Sequence, residues 1–156
     1  GGEAAAALPR TTLMIRNLPR WLTRDDILET LHREGCLDLL DFLYLPVLFG
    51  PELNFGYAFV NAVSQEACER LQARFRGFNR WDANRALTEE EAEGADVDST
   101  SVLQGWRANV QHFRNSPLMH HWAPDSCRPV VLENGVRVPF PPPTRRLRPP
   151  RMRPRA

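Results

Sequence analysis

The sequence predicts an α+β domain on the ferredoxin-like split βαβ plan, β-α-β-β-α-β, with an extra C-terminal helix. Three observations predict it. Short alternating apolar runs at 12–18, 41–45 and 54–63 read as strands. Two stretches of helical spacing fall between and after them, giving the order strand–helix–strand–strand–helix. A third helical stripe follows the place where a last strand belongs.

Taken in order, Thr12 to Leu18 alternates and is stopped by Pro19. Thr23, with Asp26 three residues on, reads as a capping pair, and Asp25 and Asp26 suit the positive end of a helix. Ile27, Leu28 and Leu31 give that helix one apolar face, and Gly35 suits its stop. A second strand runs Asp41 to Leu45 and ends at Pro46, before a loop over 46–53 containing Gly50-Pro51. The third strand reads Asn54 to Val63. Ser64 then caps a helix with Ala67, Cys68, Leu71 and Phe75 on one face, which makes Cys68 a core thiol.

The last strand is the weakest. Glu89, Glu90, Glu91, Glu93, Asp96 and Asp98 crowd 88–101 with no base among them. The reading is a solvated acidic insertion over 83–95 and a short edge strand over 96–102. Leu103, Trp106, Val110 and Phe113 then predict an amphipathic helix over 102–115, ended by Pro117. Residues 118–132 read as an irregular arm with Val130-Val131-Leu132 extended. The expected organisation is a flexible lead-in over 1–10, a domain over 11–132 and a disordered Arg/Pro-rich tail over 133–156.

At 156 residues the chain has the size of one domain, and 42% apolar with 25% charged residues excludes wholesale disorder. No apolar run reaches the ~18 residues of a membrane span, and no signal-peptide pattern opens the chain. The Gly1-Gly2 start reads as a fragment or a processed piece. All 20 basic residues are Arg. Seven of them lie in 137–156, where there is no acid, while 1–136 holds 13 Arg against 19 acids. A mildly acidic body therefore carries a basic tail, and each cation offers the planar fork that suits phosphate.

Three Cys at wide spacings fit neither a disulfide framework nor a zinc ribbon. His112, His120, His121 and Cys127 read as solvated side chains rather than a metal set. Pairing His112 with Cys127, or His32 with Cys36, as base and nucleophile lacks an orienting third group. No metal, no cofactor and no catalysis are expected.

Function rests on two segments. Leu13-Met14-Ile15-Arg16-Asn17-Leu18 resembles the six-residue ribonucleoprotein motif of an RNA recognition motif, and Phe55 to Ala62 resembles its eight-residue partner at Gly56, Tyr57, Ala58, Phe59 and Val60. Strand parity puts Phe55, Tyr57 and Phe59 on one face and Gly56, Ala58 and Val60 on the other. Met14 and Arg16 of the first strand, and Phe42 and Tyr44 of the second, join the aromatic face. Unstacked bases stack on such rings at about 1–3 kcal/mol each, and Arg pairs with phosphate. The opposite choice of face would expose Leu13, Ile15, Leu43 and Val60.

The likeness extends further. Thr11 to Pro19, Asp41 to Pro46, Gly56 to Asn61, Gln104-Gly105, His112 to Ser116 with Leu118-Met119, and Cys127-Arg128-Pro129 resemble the C-terminal RNA recognition motif of the Mei-two-like family. The resemblance covers about 11–132, including the segment after the domain. It implies the extra helix and non-catalytic binding of single-stranded RNA by a regulator of meiosis or development, acting post-transcriptionally. Phe55 departs from the Lys or Arg of the general motif, Met14 from its stacking aromatic and Ala62 from its last aromatic. Asp96 to Val102 lacks the family's Tyr and Arg.

The expected RNA contacts are Met14, Arg16, Phe42, Tyr44, Phe55, Tyr57 and Phe59. Arg145, Arg146, Arg148, Arg151, Arg153 and Arg155 of the tail are expected to add phosphate contacts. The competing expectation is a protein-binding version of the fold that docks a partner peptide or helix, with the helical side or the tail as partner surfaces. A monomer in the nucleus and/or cytoplasm, without membrane attachment, completes the reading. Whether the extra helix lies beside the sheet or across it is left open by the residues.

Overall fold

A computed structural model of the chain describes residues 9–48 and 53–151. Gly50-Pro51, residues 1–8, Arg153 and Arg155 lie outside the described residues. The elements are β1 (Thr12–Arg16), α1 (Arg24–Arg33), β2 (Leu40–Tyr44), β3 (Tyr57–Ala62), α2 (Gln65–Phe75), α3 (Glu89–Ala92), β4 (Asp96–Asp98), α4 (Trp106–Phe113), β5 (Val130–Glu133) and β6 (Val136–Val138). All six strands join one antiparallel sheet in the order β4-β1-β3-β2-β5-β6. Its first four positions are the split βαβ core.

Local chemistry sets the helix limits. Thr23 Oγ1 accepts from the Asp26 amide while the Asp26 carboxylate accepts from the Thr23 amide, the reciprocal pair expected from the sequence. Ser64 caps α2 through the Ala67 amide. Both helices lie under the lower face of the sheet. Leu13, Ile15, Leu43, Ala58 and Val60 pack there against Ile27, Leu31, Ala67, Cys68, Leu71 and Phe75. Small Ala58 at the sheet centre lets the helices approach, and each large side chain sealed here stabilises the fold by about 1.5–3 kcal/mol.

Three expectations are corrected. Strand β3 starts at Tyr57 rather than Asn54, because Gly56 turns through φ +90° and a Cβ there would meet Arg20 Nε at 3.3 Å. Asn54 is instead a fully buried hub: its Nδ2 donates to the carbonyls of Pro19 and Leu22, and its Oδ1 accepts from the Gly56 amide. The acidic segment is also more ordered than a free insertion. Its base is closed by paired backbone of Phe78 and Ala95, and Trp81 stacks into the core beside Phe75 and Phe78. Gly94 permits the closure, since a Cβ there would lie 2.2 Å from the Gly77 carbonyl oxygen. Asn17 Nδ2 clasps the segment by donating to the carbonyls of Glu90 and Gly94, and Thr88 caps the short α3.

The third correction concerns the end of the chain. Residues 133–138, expected in a disordered tail, complete the hairpin β5–β6 on the β2 edge. Arg137 grips Asp125 with two bonds of 3.0 and 2.8 Å, and Phe140 packs on the sheet. Val136-Arg137-Val138 alternates over a span too short to register as a strand pattern in a Pro-rich context. Arg10, at the end of the expected lead-in, donates to the carbonyls of Ser99 and Ser101.

Candidate nucleic-acid interface

Cross-strand register lays the upper face of the sheet out in three rows. The first is Thr12, Asn61, Phe42, Val131 and Val138. The second is Asp98, Met14, Phe59 and Tyr44, and the third is Asp96, Arg16 and Tyr57. Parity delivers these side chains upward because their neighbours Leu13, Ile15, Ala58 and Val60 fill the core below.

Helix α4 covers the first row. Its N-terminus is fastened to β1: Gln104 Oε1 accepts from the Thr12 amide at 3.0 Å, and Thr12 Oγ1 accepts from the Gly105 amide at 2.9 Å and from Asn109 Nδ2 at 3.1 Å. The Thr12 hydroxyl donates to Asn61 Oδ1 at 2.9 Å, and Asn61 Nδ2 donates to Asp41 at 2.8 Å. Burial pushes the Asp41 carboxyl up to about 6, against the opposing pull of the Asn61 donor. Farther along, Val110 and Phe113 seal Phe42 and Val131 together with Val138 and Phe140. The helix thus lies across the sheet at one end. Of its predicted stripe, Val110 and Phe113 dock, whereas Leu103 precedes the helix and Trp106 is exposed.

Phe42 is therefore corrected as a contact: it is fully buried beneath α4 and unavailable to a ligand. Tyr44 stays half-buried with its ring 4.6 Å from that of Phe113, and burial pushes its hydroxyl up to about 12. The other five predicted residues form the open patch. Tyr57 meets Phe59 edge-on at 5.7 Å and lies parallel to Phe55 at 6.3 Å. Met14 sits opposite Phe59 and Arg16 opposite Tyr57. Arg16 Nε contacts Met14 Sδ, and its guanidinium pairs with Asp98 at 3.2 Å. The Thr100 hydroxyl, then the Thr100 amide and Arg16, hold the Asp98 carboxyl below its ordinary range. Of the predicted tail cations, Arg145, Arg146, Arg148 and Arg151 are exposed.

Sequence reasoning missed the polar fastening of α4. Its signal was present: Thr12 and Asn61 share the parity of the aromatic face without being aromatic. Among the described residues no group of three His, Cys, Asp or Glu is placed to hold a metal ion, and no helix is long and apolar enough to cross a membrane.

The sequence matches the RNA recognition motif 2 family over residues 10–114. It is 38% identical over 127 residues to Protein MEI2-like 3 of Arabidopsis thaliana, covering 81% of this chain and 15% of that protein. It is 34% identical over 139 residues to Protein MEI2-like 1 of the same plant, covering 85% of this chain and 14% of that one. The chain thus spans about 15% of the length of the curated relatives it matches. Among solved structures it resembles the RRM of Rna15 with bound RNA (GU), with TM-score 0.47 and 12% identity, covering 67% of this chain and 97% of that one. Strand order, the two motifs side by side on β1 and β3, and the match over 10–114 agree: the chain belongs to the RNA recognition motif 2 family, the non-enzymatic RNA-binding domain found in MEI2-like proteins.

Proposed function

We propose that the open rows of the sheet bind single-stranded RNA, with Tyr57 and Phe59 stacking on bases, Met14 and Phe55 flanking them, Tyr44 offering its free edge and Arg16 turning to phosphate. One observation carries the reading: two rings stand half-exposed on β3 while every intervening side chain is buried. A contiguous patch of unburied rings with a polar rim marks an interaction site. Four tail arginines, Arg145, Arg146, Arg148 and Arg151, add sequence-blind attraction, with Arg153 and Arg155 beyond them. The role that fits is post-transcriptional regulation of the meiotic or developmental kind, by a monomer in the nucleus and/or cytoplasm.

The test is RNA titration of Tyr57→Ala and Phe59→Ala beside melting curves. Each should weaken binding by roughly 1–3 kcal/mol with little loss of stability. Unchanged affinity, or a melting drop as large as that of Ile15→Ala, would overturn the reading. A second reading has its own support. Asp96 and Asp98 line the β4 edge and Asp98 holds Arg16, so a partner peptide or helix bearing basic side chains also suits this face. Retained peptide binding with no RNA binding would favour it.

A further inference from the structure

The arm between α4 and β5 holds an aromatic cluster that the sheet does not use. His120 and His121 stack with ring centroids 4.2 Å apart and planes 29° from parallel. Trp122 meets them edge-on at 5.2 and 5.8 Å and is 70% exposed. An indole so placed on a loose loop would be unremarkable; this loop is fixed. Arg128 donates to the carbonyls of Leu118, His120 and Ala123 at 3.1, 2.8 and 3.1 Å. The Trp122 amide donates to His120 Nδ1, and Ala123 is buried beneath. With Nδ1 accepting, and with desolvation followed by His121 and Arg128 lowering its pKa, His120 presents a neutral ring.

The tail supplies the opposite wall. Arg114 Nε donates to the Pro142 carbonyl at 2.8 Å, and Thr144 and Asn115 exchange two bonds of 2.9 and 2.8 Å. These anchors bring Arg146, Leu147, Arg148 and Pro149 against the three rings, around an open cleft of about 590 Å³. That volume lies within the range of small-ligand sites, about 300–1,000 Å³. None of the described residues lining the cleft is acidic, and among the described residues neither Arg146 nor Arg148 has a carboxylate partner. Open ring surface beside unpaired planar cations is the composition of a single-strand nucleotide site: the base stacks, and the guanidinium meets the phosphate.

We propose that this cleft is a second nucleotide-binding site, taking a base of the RNA strand on Trp122 and His121 and its phosphate on Arg146 and Arg148. It rests on the reading of the sheet as an RNA surface. The arm that carries the cleft follows α4 directly in the chain, and α4 ends at Phe113, whose ring rests on Tyr44 of the sheet. The protein then reads a longer strand than its two open rows can hold.

The experiment compares two oligouridines, one of about three nucleotides, which a platform of two or three stacked bases can hold alone, and one of about 15. Trp122→Ala should weaken the long oligomer about 5- to 100-fold and leave the short one unchanged. Trp122→Phe should restore most of the loss. Arg146→Ala with Arg148→Ala should flatten the log–log salt slope of the long oligomer by about 1.4. All three side chains are exposed, so melting temperatures should not move. Tyr57→Ala and Phe59→Ala should weaken both oligomers. A long oligomer indifferent to Trp122→Ala while Phe59→Ala weakens both would overturn the cleft and leave the platform standing. Sensitivity to Trp122→Ala with indifference to Tyr57→Ala and Phe59→Ala would keep the cleft and overturn the platform. An oligoglutamate that binds through Trp122, with no binding of either RNA, would make the cleft a peptide site and overturn both.

Discussion

Phe113 of α4 lies against Tyr44 of β2 with ring centroids 4.6 Å apart and planes tilted by 55°, so a side chain of the protein covers part of the ring that the proposed interface would offer on that strand. The C-terminal helix is a partial lid: it closes the first row of the sheet, Thr12 and Asn61 included, and half of the second strand's contribution, and leaves Met14, Arg16, Tyr57 and Phe59 open.

Phe113→Ala should therefore act in two directions. The fold should lose about 1–3 kcal/mol from a half-buried ring, while RNA affinity rises as Tyr44 becomes available. Burial now raises the Tyr44 pKa from 10.0 to about 12. Since the buried form is the neutral one, Tyr44 contributes stability below pH 10 that is lost as pH rises toward 12. Tyrosinate absorbance should show a titration shifted downward in the variant. An unshifted titration with unchanged affinity would mean Phe113 does not shield Tyr44.

Thr12→Val should uncouple α4 from β1. It leaves the Gly105 amide without its partner, while Asn109 Nδ2 keeps the Gly105 carbonyl and Asn61 Oδ1 keeps the Thr11 hydroxyl. A donor left unsatisfied costs about 1–3 kcal/mol, so a loss of that order is expected. Hydrogen exchange should quicken across Trp106–Phe113 more than across α1.

Asp41→Asn should stabilise the protein above pH 6. The folded-state pKa is raised from 3.8 to about 6, so the folded chain binds this proton more tightly than the unfolded chain. Stability from Asp41 is thus full below pH 3.8 and falls as pH rises through 6. The amide keeps an acceptor for Asn61 and removes the charge. The gain at neutral pH should be on the order of 1–2 kcal/mol after discounting for partial exposure, with no gain in acid. Denaturant titrations across the pH range measure it.

Asp125→Ala should loosen the arm and the added hairpin together. Asp125 pairs with Arg24 at 3.0 Å and with Arg137 at 2.8 Å, and Arg24 is 4% exposed. Removing the carboxylate leaves the buried Arg24 cation with the exposed Asp25 carboxylate at 3.2 Å and the carbonyls of residue 125 and Arg128. A loss of about 2–3 kcal/mol follows, less than for a fully buried pair because Asp125 is half-exposed. Bonds from Arg137, then Arg24, hold the Asp125 carboxyl well below its ordinary range. The stability it contributes is present above pH 3.8 and is lost as pH falls below that. The wild type should therefore destabilise more steeply in acid than Asp125→Ala.

Removing residues 145–156, rather than the whole tail from 137, should isolate the electrostatic contribution. A cut at 137 would also take away β6, Phe140 and the partner of Asp125. If four arginines reach phosphates, the shorter chain should lose about 3 from its log–log salt slope and weaken all RNAs alike. An unchanged slope would remove the tail from the interface.

The sequence by itself determined the split βαβ core, because alternation and capping are local. Leu13 and Ile15 could face only inward once Tyr57 and Phe59 faced outward, and Thr23 with Asp26 could close only one helix start. The family and most of the open patch were legible for the same reason: Met14, Arg16, Tyr57 and Phe59 are placed by strand parity alone, whereas Phe55 lies before the turn at Gly56. What tertiary structure decided is which part of that face stays open. Nothing local to Phe42 says that Val110 and Phe113, far along the chain, will cover it. Nothing in a Pro-rich terminus says that Val136–Val138 will extend the sheet, or that Arg146 will come to rest beside Trp122. Those outcomes depend on contacts between distant segments, in which buried apolar area and a few polar bonds outweigh the chain entropy of ordering the end, and such balances leave no periodic mark in the sequence.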